Sequence, residues 1–462
     1  MTFVVTTDYE IDKIAAPNLP IAPEQWDRRF QDQYSNVLRL YFNRLDNFIA
    51  RLMANASTLP VSGTVSLPPT YLDAFGRQRV SQPFTLFDSQ NRYAADNQFD
   101  VATTGTGTTS FLSNEAAVKM EVTGAGVGSV KRQSYRSFPY QPGKGLLVLA
   151  TFVMDSSQSL NLTQRVGYYN DQNGVFFQRV DGTYSFVLRS YVTGSVSDAR
   201  TVNQSSWNGD KLDGTGASGY TLDPTKAQIL WMDFEWLGVG SVRCGFIING
   251  EYIVCHTFTN ANQITNVYMT TAILPVRYEI VTSSALAASM KSICCSVVSE
   301  GGFEQTSIDH VARRTTVLGT IGTTFLPLVS IRLASGRTGA VVIPNRVQVL
   351  PTTSQNYEVA LIKNPTLTGA TWASTVPSDS NVEFDVAATA TTGGTIVQTD
   401  YVTSTGSGGT SGTSFTAAYN FDLQLGASIA GTSDIYTVAI RTVSGATTGD
   451  AVGSLSFYDL TQ

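Results

Sequence analysis

A single stretch with the periodicity of an α-helix lies near the N-terminus of this 462-residue chain, and none follows it. This feature most constrains how the chain can fold. Between residues 26 and 52, large apolar side chains recur at a mean step of about 3.7 residues, which is the spacing of one face of an α-helix. The main stripe comprises Trp26, Phe30, Tyr34, Val37, Tyr41, Leu45, Phe48 and Leu52, and a second stripe of Leu38, Phe42, Ile49 and Met53 widens it. A helix without a helical partner in its own chain must bury such a face elsewhere. We therefore expect these residues to form an oligomerisation and anchoring surface whose first partners are copies of the same chain.

The predicted helix spans residues 23–56 and follows an extended arm at residues 1–22. Pro17 and Pro20 oppose helix formation in the arm, whereas Pro23 is acceptable as a first helical residue. A left-handed coiled coil has a mean step of about 3.5, so the longer step favours a straight or slightly right-handed bundle. The width of the apolar face suits three or more helices, and we predict a homotrimer; a helix docked in a groove is the alternative.

The rest of the chain is typical of short strands separated by Gly, Asn and Asp turns. Because no helical segment alternates with these strands, antiparallel sandwiches are favoured over a parallel α/β sheet. We predict a linker at 57–72, a jelly-roll or concanavalin-like sandwich at 73–303, a second linker at 304–316 and a smaller sandwich at 317–462. The predicted fold class is therefore mainly β, with one amphipathic helix ahead of two antiparallel β-sandwich domains.

Charge narrows the range of expected partners. Charged residues make up 14% of the chain and the net charge is −6, whereas average soluble domains contain about 25% charged residues. The sequence has no Lys/Arg-rich run of the kind that binds phosphates, so we expect no nucleic-acid partner. No stretch approaches the roughly 20 apolar residues of a membrane span, and the N-terminus lacks the basic region of a signal peptide. We expect assembly in a cytoplasm and no insertion into a membrane.

The strongest local signal is a β-hairpin at residues 242–255, whose turn is Asn249-Gly250. Asn-Gly accommodates the two positive φ angles of a type I′ turn. That turn predicts a register in which Cys244 lies directly opposite Cys255, at a Cα separation of about 5.5 Å. A disulfide is geometrically allowed there, but two small thiols packed in the core are the favoured interpretation.

Residues 229–237 place Trp231, Asp233 and Glu235 on one face of a strand. Two carboxylates at this spacing resemble the pair in concanavalin-like glycoside hydrolases, whose carboxyl groups lie about 5 to 5.5 Å apart. Those enzymes carry Glu-x-Asp-x-Glu, and Trp231 stands in place of the first carboxylate, so an ordinary half-exposed strand is favoured. The two histidines, His256 and His310, do not suggest a zinc site or a Ser-His-Asp triad. We predict no catalytic, cofactor or metal site and no enzymatic activity.

Aromatic residues outside the helix suggest one further ligand chemistry. Tyr168, Tyr169, Trp207 and Tyr220 could stack on the faces of sugar rings, and they are the predicted glycan contacts. Tyr and Trp are also common in sandwich cores, so burial is the alternative for each of them.

Several segments resemble marine cyanophage-type virion structural proteins. They include Tyr140-Gln-Pro-Gly-Lys and Lys211-Leu-Asp-Gly-Thr-Gly, together with residues 31–47, 73–93, 164–168 and 228–258. The resemblance covers roughly residues 30–303 and implies no catalytic residues. It implies a structural component of a bacteriophage virion: an oligomeric fibre or decoration protein, anchored to the head or the tail by its helix. The implied partners are its own copies, other capsid or tail proteins, and host surface glycans as a further candidate. Glycan-binding receptor recognition is the alternative function, with glycan cleavage a weaker one.

Overall fold

The computed structural model describes residues 27–58, 72–73, 76–77, 82–155, 160–304, 307, 309–374, 380–404, 413–416, 421–443 and 448–461, with the backbone alone described at 48–58 and 413–416. The chain divides into two compact units, residues 1–67 and 68–462. We call the second of these the β unit. The predicted arm at residues 1–22 lies outside the described residues.

Helix α1 runs from Arg28 to Thr58. Asp27 caps it, because its carboxylate accepts a hydrogen bond from the Arg29 backbone amide at 2.8 Å. The first amides of a helix have no acceptor within the helix, and a side-chain oxygen at this position supplies one. The predicted first residue, Pro23, lies outside the described residues, and the helix extends slightly beyond the predicted end at residue 56.

The first sandwich of the β unit consists of two antiparallel sheets. Its strands are β1 (Phe84–Gln90), β2 (Phe99–Gly105), β3 (Gly107–Leu112), β4 (Ala117–Val122), β5 (Gly128–Ser134), β6 (Leu146–Val153), β7 (Leu162–Tyr169), β8 (Gly174–Val180), β9 (Thr183–Ser190), β10 (Ser197–Asn203), β11 (Gln228–Phe234), β12 (Val242–Ile248), β13 (Glu251–Phe258), β14 (Val276–Thr282) and β15 (Ala288–Ser299). The eight-stranded sheet has the order β13-β12-β11-β6-β15-β4-β3, with β1 also paired to β15, and the seven-stranded sheet has the order β10-β9-β8-β7-β14-β5-β2.

The core of this sandwich lies between the two sheets, because alternate residues of each strand point inward. Met232 and Phe234 of β11 and Val166 and Tyr168 of β7 are examples, and all four belong to one buried cluster. Burying a large apolar side chain contributes about 1.5–3 kcal/mol. Residues at the intervening positions form the outer faces of the sheets, where candidate sites must be sought.

The second sandwich follows the same rule on a smaller scale. Its strands are β16 (Asp309–Ile321), β17 (Leu326–Leu333), β18 (Val342–Pro351), β19 (Asn356–Lys363), β20 (Thr366–Thr368), β21 (Ala373–Ser374), β22 (Val382–Asp385), β23 (Ala390–Thr392), β24 (Thr395–Thr403), β25 (Thr413–Thr416), β26 (Ile435–Thr442) and β27 (Gly449–Asp459). They form a four-stranded sheet, β16-β27-β18-β25, a six-stranded sheet, β21-β22-β17-β26-β19-β24, and the pair β20-β23. The predicted fold class, a mainly β chain with one N-terminal helix and sandwich domains, is confirmed.

The prediction of a second linker at residues 304–316 is too long, because part of that range is a β-strand. Strand β16 begins at Asp309 and pairs with β27 from there to Arg314. It is an edge strand of the four-stranded sheet. Alternate residues such as His310 and Ala312 are buried, and the residues between them are exposed. A strand with so polar an outer face resembles a linker in composition, although its backbone is paired.

The hairpin prediction is correct at the turn and wrong at the cysteines. Asn249 and Gly250 have φ angles of 53° and 84°, as a type I′ turn requires. A β-bulge then leaves Cys255 without a cross-strand counterpart, so that Cys244 pairs with His256 instead. Both thiols are free and buried. The core-thiol interpretation is the one that the structure supports.

The two sandwiches share apolar contacts within the β unit. Phe421, in a short 3-10 helix at 421–423, belongs to the core cluster of the first sandwich. Its ring lies 5.6 Å from that of Phe84 and 4.9 Å from that of Phe303, between ring centroids. Arg136 donates to the Phe421 carbonyl at 2.5 Å. The second sandwich therefore completes the core of the first, which accounts for their grouping in one compact unit.

Candidate self-association helix and ligand-binding surfaces

Helix α1 carries large apolar side chains that are only partly covered. The predicted stripe residues that are half-buried are Phe30, Tyr34, Val37, Leu38, Tyr41 and Leu45. The Phe42 side chain is exposed over 54% of its surface. The rings of Phe30 and Tyr34 stack at a centroid distance of 6.1 Å, so residues one turn apart partly cover each other. The side chains of Trp26, Phe48, Ile49 and Leu52 lie outside the described residues.

Sequence reasoning missed one member of this apolar surface. Leu40 belongs to neither predicted stripe, yet it is apolar and 53% exposed. It lies three residues after Val37, a spacing that makes the two side chains neighbours on a helix. The spacing of Leu40 from Val37 could have identified it from the sequence. Leu40 widens the apolar side of α1.

Polar residues occupy the remaining surface of α1. Arg29, Asp32, Asn36, Arg39 and Asn43 are all exposed. Arg39 donates to the Asn36 side-chain oxygen at 3.0 Å. Among the described residues, no helix is both long enough and apolar enough to cross a membrane.

Three of the four predicted glycan contacts are wrong, because their side chains are buried. Tyr168, Tyr169 and Trp207 expose at most 2% of their surface. The Tyr168 hydroxyl lies 2.9 Å from the Ala272 carbonyl, and the Trp207 indole nitrogen donates to a backbone carbonyl at 3.1 Å. A ring that is enclosed on both faces cannot stack on a sugar, so the core alternative holds for these residues.

Tyr220 is the fourth predicted contact and remains half-buried. Its ring packs against the first core, and its hydroxyl accepts a hydrogen bond from the Asn249 side-chain amide at 3.0 Å. The structure thus holds Tyr220 against the tip of the β12–β13 hairpin and does not bring it together with the other three.

The carboxylates of β11 form no acid–nucleophile pair on an open surface. Asp233 is completely buried and forms an ion pair with Arg243 of β12. Glu235 is half-buried and accepts a hydrogen bond from the Ser241 amide at 3.2 Å. Burial raises the pKa of Glu235, and the neighbouring Asp73 carboxylate adds to the increase. The expected half-exposed strand is therefore wrong at Trp231 and Asp233, which neighbouring groups cover.

The same ion pair fixes the start of the β unit. Arg243 donates to the Leu72 carbonyl at 2.6 Å. Asp73 in turn accepts hydrogen bonds from the Arg77 backbone amide at 2.9 Å and from its side chain at 2.7 Å. Leu72, the last residue of the predicted first linker, is therefore attached to the outer face of the eight-stranded sheet.

The outer face of the seven-stranded sheet carries three arginines over an apolar floor. The floor is Tyr169, Phe176 and Val187, which are fully buried and form a cluster separate from the main core. The three arginines are Arg165, Arg189 and Arg277, and they lie 5.1 to 5.9 Å from the ring centroids of Tyr169 and Phe176. We call these six residues, with the carboxylates of Asp171, Asp198 and Glu279, the arginine face.

Each arginine of this face is neutralised by a carboxylate. Arg189 binds Asp198 through two hydrogen bonds of 2.8 Å. Arg165 donates to Glu279 at 3.0 Å, and Arg277 donates to Asp171 at 2.5 Å. These bidentate and single contacts are strong charge-assisted hydrogen bonds.

The two outermost carboxylates of the arginine face stay ionised. Burial by itself would raise the pKa values of Asp171 and Asp198, but their arginine partners outweigh it and hold both below the ordinary range. The Asp171 side chain is 65% exposed, so an acceptor for hydroxyl donors is accessible at the rim. The sequence signal was partial: Arg277 and Glu279 alternate with core residues along β14, whereas β7 and β9 contribute one arginine each.

The histidines and acidic residues of the described chain do not converge. No group of three or more His, Cys, Asp or Glu side chains within the described ranges is placed to hold a metal ion. His256 is buried beside Phe258, and its Nδ1 accepts a long hydrogen bond of 3.4 Å from the Asn208 amide. Burial, with the nearby Arg200 charge, lowers the pKa of His256 to about 4.

Comparison with known proteins gives distant structural similarity and no family. No family model and no curated protein matches the sequence. The cellulose-induced protein Cip1 is similar at a TM-score of 0.30 and 11% identity, over 46% of this chain and 96% of that one. A conserved carbohydrate esterase of the Shiga toxin-encoding bacteriophage phi24B gives 0.29 and 10%, over 47% and 99%. The carbohydrate recognition domain of Emp47p gives 0.30 and 9%, over 48% and 98%. Similarity at this level carries no argument about function.

Proposed function

We propose that this chain is a non-enzymatic structural protein that forms a homotrimer through α1. The apolar side of the helix is the observation that carries the proposal. Six stripe residues there are half-buried, and Leu40 and Phe42 are each more than half exposed. Apolar surface in contact with water costs about 25 cal/mol per Å² relative to burial, so association of helices through this side is favourable.

Three copies fit the width of this side better than two. A pair of helices buries a narrow seam, whereas each helix of a larger bundle contacts two neighbours and buries a broader surface. Such a broad surface is formed by five neighbouring side chains, Val37, Leu38, Leu40, Tyr41 and Phe42. Closed symmetric assembly is also the usual form of a soluble homo-oligomer.

The resemblance of residues 30–303 to marine cyanophage virion proteins supports a location on a phage particle. In this proposal, α1 anchors the trimer to capsid or tail proteins, and the β units are displayed as a fibre or a decoration. Assembly takes place in the cytoplasm of the host. The virion assignment rests on that resemblance, whereas the trimer rests on the helix itself.

The trimer is tested by placing charge on the apolar side of α1. The full chain with Tyr34→Glu and Tyr41→Glu is expected to become monomeric at micromolar concentration, because two carboxylates cannot be buried in a bundle without a large desolvation cost. The matched control is Asn36→Glu with Asn43→Glu, which places the same charges seven residues apart on the exposed side. Sedimentation equilibrium should give three chains for the wild type and the control. A monomeric wild type, or a trimeric Tyr34/Tyr41 variant, would refute the helix as the self-association site.

The virion location has a separate test. Mass spectrometry of purified phage particles should detect the wild-type chain and the Asn36/Asn43 control. It should not detect the Tyr34/Tyr41 variant. Absence of the wild-type chain from particles would refute the virion location and leave the trimer unaffected. If the wild-type chain is present, a cryo-EM map of the particle shows whether it lies on the head or on the tail.

Glycan recognition is the second candidate function, and the arginine face is the observation that favours it. Guanidinium groups donate and carboxylates accept hydrogen bonds, and both are needed to pair with sugar hydroxyls. Asp171 and Asp198 are the accessible acceptors at its rim. The predicted stacking residues do not contribute, since Tyr168, Tyr169 and Trp207 are buried.

A glycan array tests this second function directly. Wild-type protein should bind, Asp171→Asn with Asp198→Asn should weaken binding at least tenfold, and Asp223→Asn should not. Asp223 is a suitable control because it is an aspartate outside the arginine face and its side chain is 48% exposed. An array without hits would dispose of the glycan proposal.

A further inference from the structure

The dipeptide Asn-Gly occurs three times in this chain, at residues 173–174, 208–209 and 249–250. Its glycine nitrogen can attack the side-chain carbonyl carbon of the asparagine, because glycine has no Cβ to hinder the approach. A new bond forms from that nitrogen to the carbon, the bond from the carbon to the side-chain nitrogen breaks, and the amide proton leaves with it as ammonia. Water then opens the resulting succinimide ring at either carbonyl, which gives aspartate or isoaspartate. The reaction needs an asparagine side chain that can rotate and a glycine amide without a hydrogen bond, and the structure separates the three sites by these two requirements.

Asn173 is fixed by both polar atoms of its side chain. Its oxygen accepts hydrogen bonds from the backbone amides of Thr270 at 3.0 Å and Tyr191 at 3.2 Å, and its nitrogen donates to the Thr270 hydroxyl at 2.8 Å. The residue is 1% exposed. Gly174 begins β8, and a Cβ added to it would lie 2.2 Å from the Cβ of Tyr169. Rotation of Asn173 would break three hydrogen bonds of buried groups, so we expect no reaction at this site.

Asn208 is exposed, yet it is restrained as well. Its side-chain oxygen accepts a hydrogen bond from the Thr257 amide at 2.8 Å, and its side-chain nitrogen donates to the Thr257 carbonyl at 2.9 Å. The Gly209 amide, which would be the attacking group, donates to the Cys255 carbonyl at 2.9 Å. A reaction at this site would have to break all three of these bonds to β13.

Asn249 differs from the other two asparagines in both requirements. Asn249 and Gly250 are exposed at the tip of the β12–β13 hairpin. Among the residues that the structure describes, none accepts a hydrogen bond from the Gly250 amide, and no atom beyond its two chain neighbours would lie within 4 Å of a Cβ added there. Within the same part of the chain, a single hydrogen bond restrains the Asn249 side chain: its nitrogen donates to the Tyr220 hydroxyl at 3.0 Å.

The position of Asn249 at a hairpin tip also lowers the cost of the motion that the reaction needs. The cross-strand pair next to the turn is Ile248 with Glu251, so the turn is held by strand pairing on one side only. Local opening requires the least free energy at exposed tips of this kind. Once the bond to Tyr220 opens, the Asn249 side chain can turn toward the Gly250 nitrogen while the strands stay paired.

We propose that Asn249 is a site of spontaneous deamidation, restrained by Tyr220, at which the chain supplies the nucleophile and water is the co-reactant. The modification goes beyond the proposed functions, because it needs neither the trimer nor a ligand. Isoaspartate continues the main chain through its side-chain carbon and so adds one backbone atom to the turn. A two-residue type I′ turn has no place for that atom, so this product loses the pairing of Ile248 with Glu251. Either product also places a new negative charge near Glu251.

Peptide mapping by mass spectrometry tests the site. The folded full chain is kept in a mildly alkaline buffer, and conversion is followed by the mass difference between asparagine and aspartate. Asn249 should convert at least tenfold faster than Asn173 and Asn208. The control is the same chain unfolded in urea, where the three sites should convert at similar rates because the fold no longer distinguishes them. The proposal is overturned if Asn249 stays an amide in the folded chain, if Asn173 or Asn208 converts as fast, or if the unfolded chain shows the same preference for Asn249.

A second arm tests the restraint by Tyr220. Tyr220→Phe removes the hydroxyl that accepts the Asn249 hydrogen bond and keeps the ring that packs against the first core. Conversion of Asn249 in the folded chain should then become at least threefold faster. The matched control is Tyr184→Phe, at another half-buried tyrosine that packs against the same core, and it should leave the rate unchanged. An unchanged rate in Tyr220→Phe, or an equal increase in Tyr184→Phe, contradicts the restraint that the proposal assigns to Tyr220.

Discussion

The buried ion pair between Asp233 and Arg243 gives a direct test of how the eight-stranded sheet is stabilised. Asp233 has no exposed surface, and the Arg243 side chain is 10% exposed. In Arg243→Met, an apolar side chain replaces the guanidinium while the carboxylate stays buried. Leaving one member of a buried pair without its counter-charge costs about 3–5 kcal/mol. We expect the free energy of unfolding to fall by that amount.

The companion variants separate charge from packing. Asp233→Asn removes the carboxylate but leaves the Arg243 guanidinium its hydrogen bond to the Leu72 carbonyl. In Asp233→Asn with Arg243→Met no charge remains buried, so the double variant should be more stable than Arg243→Met alone. Non-additivity of about 0.5–3 kcal/mol is typical of residues in contact.

Urea unfolding followed by tryptophan fluorescence is the assay, because Trp231 lies on the same strand. Arg332→Met is the matched control: its salt bridge with Glu383 has an arginine side chain that is 35% exposed, and such pairs contribute about 0–1 kcal/mol. If Arg243→Met costs no more than Arg332→Met, or if the two Asp233/Arg243 changes are additive, the assigned role of the pair is wrong.

Four further measurements test individual sites. Gly245→Ala should destabilise the protein by about 1–3 kcal/mol or more in urea unfolding, because a Cβ there would lie 1.8 Å from the Ile253 carbonyl oxygen. His256 should titrate near pH 4 by NMR, and because its folded pKa lies below the ordinary 6.5, its contribution to stability should be present above pH 6.5 and be lost as the pH falls toward 4; His256→Gln should abolish that dependence. The pH dependence of stability that Glu235 contributes runs the other way. Its folded pKa is raised, so the stability of the wild type relative to Glu235→Gln should be greatest below pH 4.5 and decline as the pH rises. In a thiol-reagent assay, Cys294 should react in the folded protein while the three buried cysteines react only after unfolding.

Patterns between neighbours in sequence predicted the local structure well. The period of α1 and the type I′ turn at Asn249-Gly250 both depend on residues a few positions apart, and both are present. The antiparallel sandwiches follow from strands without intervening helices. The Cys244–Cys255 pair failed because a single bulged residue shifts the register, and no local pattern marks that residue.

The sites depended on information that is not local. Tyr168, Tyr169 and Trp207 have the composition of sugar-stacking residues, and only the packing of two sheets shows that their rings are enclosed. The arginine face is assembled from β7, β9 and β14, whose residues are far apart in sequence and become neighbours by strand order. Asp233 and Arg243 are close in sequence, but the pairing of β11 with β12 is what places them opposite each other.

The sequence by itself determined that this chain has one amphipathic helix and a long β-rich remainder, because periodicity is a property of consecutive residues. Only the tertiary structure decided that the candidate aromatics are buried and that arginines cover Tyr169 and Phe176. Burial arises from contacts between segments that are up to about a hundred residues apart, such as Tyr168 and Ala272, and those contacts follow from the packing of the two sheets.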